Sequence, residues 1–289
     1  MEGLVINLQG GLYKVKTSND LIFNCKASGN LRHKKINPVV GDKVKIDIID
    51  EKKLTGYLVE VFDRKNKLTR PNVSNVDYAL IVNSAVEPNF NDYLLDKMLF
   101  VIENNNIEPI IIFTKLDLLK EDDKNYNEVI NEIKIYKKYY KVIETNKDLF
   151  EIEKILKYNS ISVITGQTGV GKSTLLNKLN KDLNLNTSEI SKTLGRGKHT
   201  TRDSKLLEIF KDKYIIDTPG FSSFDLSNIE MNQIGFVTKP FKQYLNKCKF
   251  NNCKHINEPK CEVKKDLENN KFEQSLYNNY LKIVSEINS

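Results

Sequence analysis

The chain has 289 residues, of which 39% are hydrophobic and 29% are charged, and its formal net charge at pH 7 is +7. This length suits two or three domains and exceeds what one small core needs. No apolar run approaches the roughly 20 residues that span a bilayer, and no basic region precedes the first apolar residues, so we expect a cytoplasmic protein without a membrane partner.

Basic residues are concentrated at the start of the chain. Residues 1–70 hold 14 Lys/Arg against 8 Asp/Glu, whereas residues 71–224 hold 21 against 22. A local basic excess favours an anionic partner such as nucleic acid for the first segment. A solubilising surface explains the same count equally well.

The first segment contains short β patterns separated by turn signals, at residues 4–6, 12–16, 21–25, 44–48 and 57–61. Five short strands in about seventy residues fit a closed OB-type barrel, and an SH3-like barrel is the competing architecture. A basic loop, Ser28–Lys35, follows the third strand and offers Arg32, Lys34 and Lys35 to phosphates. We predict an all-β OB-fold, RNA-binding domain at residues 1–70.

Strand and helix patterns alternate after a basic connector that contains Pro71. The strands are predicted at residues 78–82, 109–113, 141–143 and 161–165, and the helices at 92–104, 126–139 and 149–156. Apolar strands that alternate with helices favour a mostly parallel sheet with both faces covered. We therefore predict an α/β domain at residues 71–224.

The motif Thr114-Lys-Leu-Asp117 follows an apolar strand at the end where α/β folds bind ligands. It resembles the base-recognition motif of GTPases, usually Asn-Lys-x-Asp but Thr-Lys-x-Asp in Rho-type members. The Asp117 carboxylate can accept both N1–H and N2–H₂ of guanine, and adenine offers no such pair of donors. Alone, an Asp in such a loop is more often a helix cap; beside a phosphate-binding loop, we predict that Thr114, Lys115 and Asp117 bind guanine.

The segment Gly166–Ser173 matches the phosphate-binding pattern Gly, four residues, Gly-Lys-Ser, between a β-branched run and a helical pattern at 172–179. Its glycines let successive N–H groups turn toward a phosphate. Lys172 would reach the β- and γ-phosphates, and the Ser173 hydroxyl would ligate Mg²⁺. A chance glycine-rich turn is the alternative, which the flanking elements disfavour. The predicted contacts are Gly166, Gln167, Thr168, Gly169, Val170, Gly171, Lys172, Ser173 and Thr174.

Two further segments complete the predicted nucleotide site. Leu194–Asp203 is glycine-rich and charged, which is typical of a switch loop; Thr201, or alternatively Thr200, would supply the second magnesium ligand beside Ser173. Asp217 follows a strand pattern and would hold the magnesium shell through water, while the Gly220 amide would meet the γ-phosphate.

The base motif lies about fifty residues before the phosphate loop, the reverse of the order in ordinary GTPases, so the domain is circularly permuted. In this order the chain resembles the bacterial RsgA family, also called YjeQ or YloQ. The resemblance runs nearly end to end through the motifs above and through Gly41-Asp-Lys-Val44, Arg70-Pro71, Gly195–Arg202, Asp217–Phe221 and the cysteine cluster below. It implies a GTP hydrolase stimulated by the small (30S) ribosomal subunit, a late maturation factor that binds 16S rRNA in a nucleotide-dependent way, with Mg²⁺ and GTP or GDP as ligands.

The sequence lacks the glutamine that orients the attacking water in many GTPases. Phe221 follows Gly220 at the position where many GTPases carry a water-orienting Gln, and a phenyl ring cannot orient water. His199 is the catalytic candidate, because a neutral imidazole can hydrogen-bond water near physiological pH. A surface loop residue or a ribosome contact is the alternative role of His199. Thr145-Asn-Lys147 is the candidate for the loop behind the base.

The tail, residues 225–289, has helical patterns around a cluster of Cys and His residues. In a reduced compartment such a cluster more often binds metal than forms disulfides. Three thiolates and one imidazole make a closed tetrahedral shell, so we predict one structural zinc in a mainly helical domain. Separately, we expect the protein to be a monomer. The predicted ligands are Cys248, Cys253, His255 and Cys261.

Two other functions remain open from the residues alone. One is an RNA-binding protein that uses GTP only as a structural ligand. The other is a P-loop kinase acting on a small molecule, which Asp117 argues against.

Overall fold

The computed structural model describes residues 1–68, 72–121, 125–147, 149–158, 160–183, 205–216, 226, 229 and 234–288. It forms two compact units. The first comprises Met1–Ala79, Ile152–Thr165 and Lys172–Phe221, and the second comprises Leu80–Glu151, Gly166–Gly171 and Ser222–Ser289. The predicted boundaries at 70/71 and 224/225 are a different division and stay predictions. Within the described part of the chain, no helix is both long and apolar enough to cross a membrane.

The strands of the described residues are β1 Glu2–Gln9, β2 Leu12–Thr17, β3 Ile22–Ala27, β4 Lys43–Asp50, β5 Thr55–Val61, β6 Lys67–Leu68, β7 Val73–Ser74, β8 Tyr78–Ser84, β9 Glu108–Thr114, β10 Lys141–Glu144, β11 Ile161–Thr165, β12 Leu206–Phe210 and β13 Lys213–Ile216. The α-helices are α1 Gly29–His33, α2 Asp92–Asn104, α3 Tyr126–Lys137, α4 Glu151–Ile155, α5 Lys172–Leu179, α6 Lys239–Lys242, α7 Glu262–Glu268 and α8 Gln274–Asn288. Short 3₁₀ helices lie at Leu116–Leu118, Lys181–Leu183 and Ile234–Phe236.

The first unit begins with a closed barrel in the strand order β1-β2-β3-β5-β4. The barrel closes through antiparallel pairing of β1 with β4, and β3 runs parallel to β5. Side chains alternate between the interior and solvent along each strand, so that Val15, Phe23, Ile46 and Leu58 are buried inside. This order is that of an OB fold, and the predicted all-β barrel is confirmed.

The predicted basic loop between β3 and β4 is wrong in one respect, because its middle is the one-turn helix α1. Ser28 caps this helix by accepting a bond from the Leu31 backbone N–H at 3.4 Å. Leu31 is buried under the barrel, and Arg32 is exposed. The basic side chain therefore projects from a helical turn.

A buried carboxylate ties the barrel to the connector that follows it. Asp42 accepts hydrogen bonds from the Arg64 guanidinium at 2.7 and 2.8 Å, from the Ser74 hydroxyl at 2.6 Å and from the Val39 backbone N–H at 2.7 Å. Both oxygens of a fully buried charge are thus satisfied, as burial requires. This network holds the connector against the barrel wall.

The first unit also contains strands β11, β13 and β12, adjacent in that order. All five residues of β11 are buried, and β11 pairs in parallel with β13, placing Ile161 opposite Tyr214. β12 was not predicted; it runs antiparallel to β13 as a hairpin. The helix predicted at 172–179 is confirmed as α5.

The second unit contains β10, β9 and, from Leu80 onward, β8, adjacent in that order, with β10 parallel to β9. All seven residues of β8 and six of β9 are buried, as expected for a parallel sheet between helices. Helix α2 has the predicted bounds and starts where the Asn91 side chain accepts the Leu94 backbone N–H at 2.9 Å. The mainly helical tail is also confirmed, as α6, α7 and α8.

Candidate nucleotide and metal sites

The phosphate loop links β11 to α5, as predicted. Gly166, Gly169 and Gly171 have φ angles of +143°, +87° and +94°, which residues with a Cβ rarely adopt. A Cβ on Gly166 would lie 2.1 Å from the Val82 carbonyl oxygen at the end of β8. The loop therefore needs glycine both for its backbone conformation and for its close packing on β8.

Two of the predicted site residues begin helix α5. Lys172 is half-buried and Ser173 is buried. Burial lowers the pKa of Lys172, so an anion that offsets its desolvated charge would be favoured there. These are the side chains that phosphate and magnesium would require.

The base motif is joined to the phosphate loop within the second unit. The buried Thr114 hydroxyl donates to the Val170 carbonyl at 2.7 Å, and the Asn83 carbonyl lies 3.2 Å away as a second acceptor. Lys115 has a left-handed φ of +57°, and its ammonium donates to the Glu87 carbonyl. One hydroxyl thus fixes the spacing between the two predicted nucleotide motifs, a contact that sequence patterns do not encode.

Asp117 and the predicted loop behind the base lie at the same edge of the sheet. Asp117 is exposed in the 3₁₀ helix Leu116–Leu118, where a base could reach its carboxylate. Thr145–Lys147 follows β10, the parallel neighbour of β9, and the Thr145 N–H donates to the Phe113 carbonyl at 3.0 Å. Because parallel strands end at one edge of a sheet, this segment and Asp117 share that edge.

Five predicted site residues lie outside the described residues. They include the catalytic candidate, one predicted magnesium ligand and the predicted γ-phosphate sensors. Their roles stay predictions: His199, Thr200, Thr201, Asp217 and Gly220.

The four residues predicted to bind metal are brought together in the tail. Their ligand atoms all lie within 4.8 Å of one another, and all four side chains are buried. The His255 Nδ1 atom lies 3.3 Å from the Cys261 sulfur and 3.7 Å from the Cys248 sulfur. Its Nε2 atom lies 2.9 Å from the Gly235 carbonyl, which can only accept, so Nε2 carries the proton and Nδ1 presents its lone pair to the cluster.

The donor set fits a tetrahedral soft-metal site. Burial raises the pKa of the Cys253 and Cys261 thiols, so a cation is needed to hold them as thiolates. Three thiolates and one imidazole are a donor set that zinc takes in structural sites. Bound metal would fasten the loop 248–261 at four points.

Aromatic side chains enclose the cluster. The Phe236 ring meets His255 edge-on, with ring centroids 5.0 Å apart, and Phe241 stacks on it at 5.8 Å. The Tyr277 hydroxyl donates to the His255 carbonyl at 2.7 Å, and the Tyr280 hydroxyl donates to the Lys254 carbonyl at 2.6 Å. Sequence reasoning missed these residues, although the spacing of the two tyrosines puts them on one face of α8.

Helix α8 also docks on α2 of the same unit. The Asn279 amide donates to Asp92 at 2.9 Å and to Asp96 at 2.8 Å, and the Tyr136 hydroxyl donates to Asp96 at 2.9 Å. Burial raises the pKa of Asp96 to about 8, against the smaller opposing effect of these bonds. The tail that carries the Cys/His cluster is therefore anchored on α2 through a polar cluster.

A strand, a glycine-rich loop and a helix, with an upstream Asp-bearing base motif bonded to the loop, define the class of circularly permuted P-loop GTPases. The family model for the RsgA GTPase matches residues 61–227, and that for the RsgA N-terminal domain matches residues 2–58. The chain belongs to the RsgA family of GTPases, and it is a GTP hydrolase.

Full-length relatives agree. The small ribosomal subunit biogenesis GTPase RsgA 2 of Oceanobacillus iheyensis is 42% identical over 295 residues, covering 99% of this chain and 97% of its own. The crystal structure of YloQ, a circularly permuted GTPase, has a TM-score of 0.82 at 34% identity, covering 99% of this chain and 94% of its own. YjeQ from Thermotoga maritima has a TM-score of 0.80 at 30% identity, with coverages of 99% and 98%.

Proposed function

We propose that this protein hydrolyses GTP on the small ribosomal subunit as a late maturation factor, that the subunit stimulates its turnover, and that its binding to 16S rRNA depends on the nucleotide. The observation that carries the guanine-nucleotide part is the Thr114 hydroxyl bonded to Val170, because it links a guanine-specific motif to the phosphate loop. The names of the relatives support the ribosomal part. Such a factor acts in the cytoplasm, and we propose that it works as a monomer.

The roles of the residues follow from their chemistry. Asp117 accepts the two guanine N–H groups, the amides of Gly166–Gly171 bind the β-phosphate, and Lys172 binds the β- and γ-phosphates. Ser173 and Thr201 would hold Mg²⁺, which would neutralise part of the phosphate charge when bound. Asp217 and Gly220 would sense the γ-phosphate.

In the reaction, water attacks the γ-phosphorus and the bond to the β–γ bridging oxygen breaks, giving GDP and phosphate. We assign His199 the role of orienting that water by accepting its hydrogen bond. His199→Ala should lower stimulated turnover while GTP affinity is retained. Unchanged turnover of this variant on saturating subunits would remove His199 from the mechanism.

The barrel offers a surface suited to RNA. Lys26, Arg32 and Tyr57 line one groove with Ser28 and Gly29. Tyr57 is 47% exposed, so its ring is available for base stacking in the groove that Lys26 and Arg32 also line. The tail would hold one structural zinc through Cys248, Cys253, His255 and Cys261, keeping α6 and α8 in place around it.

The test is GTP turnover measured against increasing amounts of small subunits. Asp117→Asn is the matched control, because the amide offers a donor where guanine also has donors, whereas xanthine presents a carbonyl there. We expect it to lose at least about 100-fold in GTP affinity and to gain xanthosine triphosphate hydrolysis that small subunits still stimulate. GTP binding without any stimulated turnover of the wild type would favour the RNA-binding alternative, and a preference for ATP would favour the kinase.

A further inference from the structure

A nearly buried lysine of the barrel lies against the β12–β13 hairpin. The Lys16 side chain, on β2, is 15% exposed. Its ammonium donates to the Tyr214 hydroxyl at 2.8 Å and lies 3.3 Å from Asp212 and 3.5 Å from Glu208, all on the hairpin. Asp20, at the turn after β2, is its fourth partner at 3.1 Å.

A second contact joins the same two parts of the first unit. Asn7 of β1 forms an antiparallel bridge with Lys205, immediately before β12. Two neighbouring barrel strands therefore contact this hairpin, one through its backbone and one through Lys16. A cleft between these elements is lined by Lys16, Asp20, Leu206, Glu208 and Tyr214, among others.

The hairpin occupies a particular place among the nucleotide motifs. In sequence, β12 follows the predicted switch loop 194–203, and β13 leads directly into Asp217–Gly220. Tyr214 stands opposite Ile161 in β11, the strand that leads into the phosphate loop. A displacement of the hairpin along β11 would move the attachment points of both predicted γ-phosphate segments together.

Stability alone does not explain a charged group here. Taking an ammonium out of water is costly, and an apolar side chain of similar volume often holds such a contact equally well. Burial lowers the pKa of Lys16, but the bonds to Tyr214 and Asp20 outweigh it, so the lysine stays charged. A charged lysine with fixed acceptors favours one register of the hairpin against the barrel, whereas an apolar contact does not distinguish between registers.

We propose that Lys16 is a positioning residue for GTP hydrolysis: it holds the β12–β13 hairpin in the register that the subunit-stimulated reaction requires. Through this contact, RNA bound to the barrel is coupled to GTP bound at the phosphate loop. The inference rests on the proposed function. It assigns to a barrel residue a role in the reaction that no motif carries. By reciprocity, RNA on the barrel must change GTP affinity by the factor by which GTP changes RNA affinity.

The test compares full-length Lys16→Met with Lys14→Met, a change at an exposed lysine of the same strand. At saturating small subunits we expect Lys16→Met to lower the kcat for GTP about tenfold, since a small misplacement of reacting groups costs this much or more. Without subunits, its KM for GTP should change less than about twofold, because the phosphate loop itself is unaltered. The effect of small subunits on the affinity for a non-hydrolysable GTP analogue should also shrink in Lys16→Met. Lys14→Met should retain both, and Tyr214→Phe, which loses one acceptor, should fall between them.

A folding defect is controlled by a second variant. Lys16→Met leaves Asp212, the least exposed of the three carboxylate partners of Lys16, without its cation. The double variant Lys16→Met with Asp212→Asn therefore removes this buried charge as well, while the more exposed Asp20 and Glu208 stay hydrated. If this double variant melts like the wild type and keeps full stimulation and full coupling, the proposal is overturned; loss of both in the folded double variant supports it. An unstimulated wild type refutes the proposed function itself, whereas stimulation that survives in the variants refutes only the role of Lys16.

Discussion

Gly235→Ala tests whether the metal cluster depends on the backbone that bonds to His255. Gly235 lies in the 3₁₀ helix Ile234–Phe236, and its φ is not positive, so alanine fits the backbone there. The added Cβ, however, would lie 2.1 Å from the Cys253 carbonyl oxygen and 3.3 Å from the His255 ring. Any effect of the substitution is therefore steric and falls on two predicted metal ligands, Cys253 and His255.

The size of the effect follows from that overlap. Contacts of a Cβ below 3.0 Å are essentially never observed, so the Cys253 backbone must move by roughly 1 Å. Forced overpacking costs about 1–3 kcal/mol in unfolding free energy. The same shift disturbs the bond from His255 to the Gly235 carbonyl, and loss of such a supporting bond lowers metal affinity by about 10–100-fold.

The assay is zinc affinity by competition with a chromogenic chelator, together with thermal unfolding of the zinc-loaded protein. Gly29→Ala is the matched control, because a Cβ there meets nothing within 4 Å and Gly29 starts helix α1. We expect the control to be neutral or slightly stabilising. Wild-type zinc affinity and melting temperature in Gly235→Ala would refute the steric reasoning and the contribution of the bond from His255 to the Gly235 carbonyl to metal affinity.

Two further predictions concern the second unit. Thr114→Val should weaken GTP and GDP binding by about tenfold or more, because the buried Val170 carbonyl loses its donor, and Thr114→Ser should retain affinity in the same fluorescence titration; equal affinities for both variants would contradict this. The pKa of Asp96 in the folded protein is raised to about 8 from 3.8. Between about pH 4 and 8 the folded state therefore keeps a proton that the unfolded state releases, so the free energy of unfolding should fall as the pH rises through this range. Urea unfolding between pH 5 and 8.5 should show a flatter profile for Asp96→Asn, with the contribution of Glu132, whose pKa is raised to about 7, remaining; an unaltered slope would show that Asp96 does not titrate as described.

Local signals in the sequence predicted the elements with strong local causes. Helix α2 begins at its Asn91 cap and β11 is an uninterrupted buried run, and both have the predicted bounds. The phosphate loop was predictable because its glycines are a backbone requirement. The prediction of a loop before β4 was wrong because Ser28 caps a helix of a single turn, which is too short to show a helical periodicity in the sequence.

What sequence could not predict depends on contacts between distant residues. Strand β12 is short and gains its place by pairing with β13 and by the bridge to Asn7. Gly235 precedes His255 by 20 residues, and Lys16 precedes Tyr214 by 198. No periodicity or propensity reports such partners, because the energy of these contacts exists only after the chain has folded.

The anchoring of α8 on α2 delays the folding of the second unit during synthesis on the ribosome. Asp92 and the Asn279 that bonds to it are 187 residues apart. At about 5–20 residues per second, synthesis leaves α2 waiting on the order of 10–40 s for that partner. During this interval the nascent chain exposes the α2 surface that α8 will cover, so the second unit completes its folding only after translation of the tail, and α2 is the surface that chaperones would shield in the meantime.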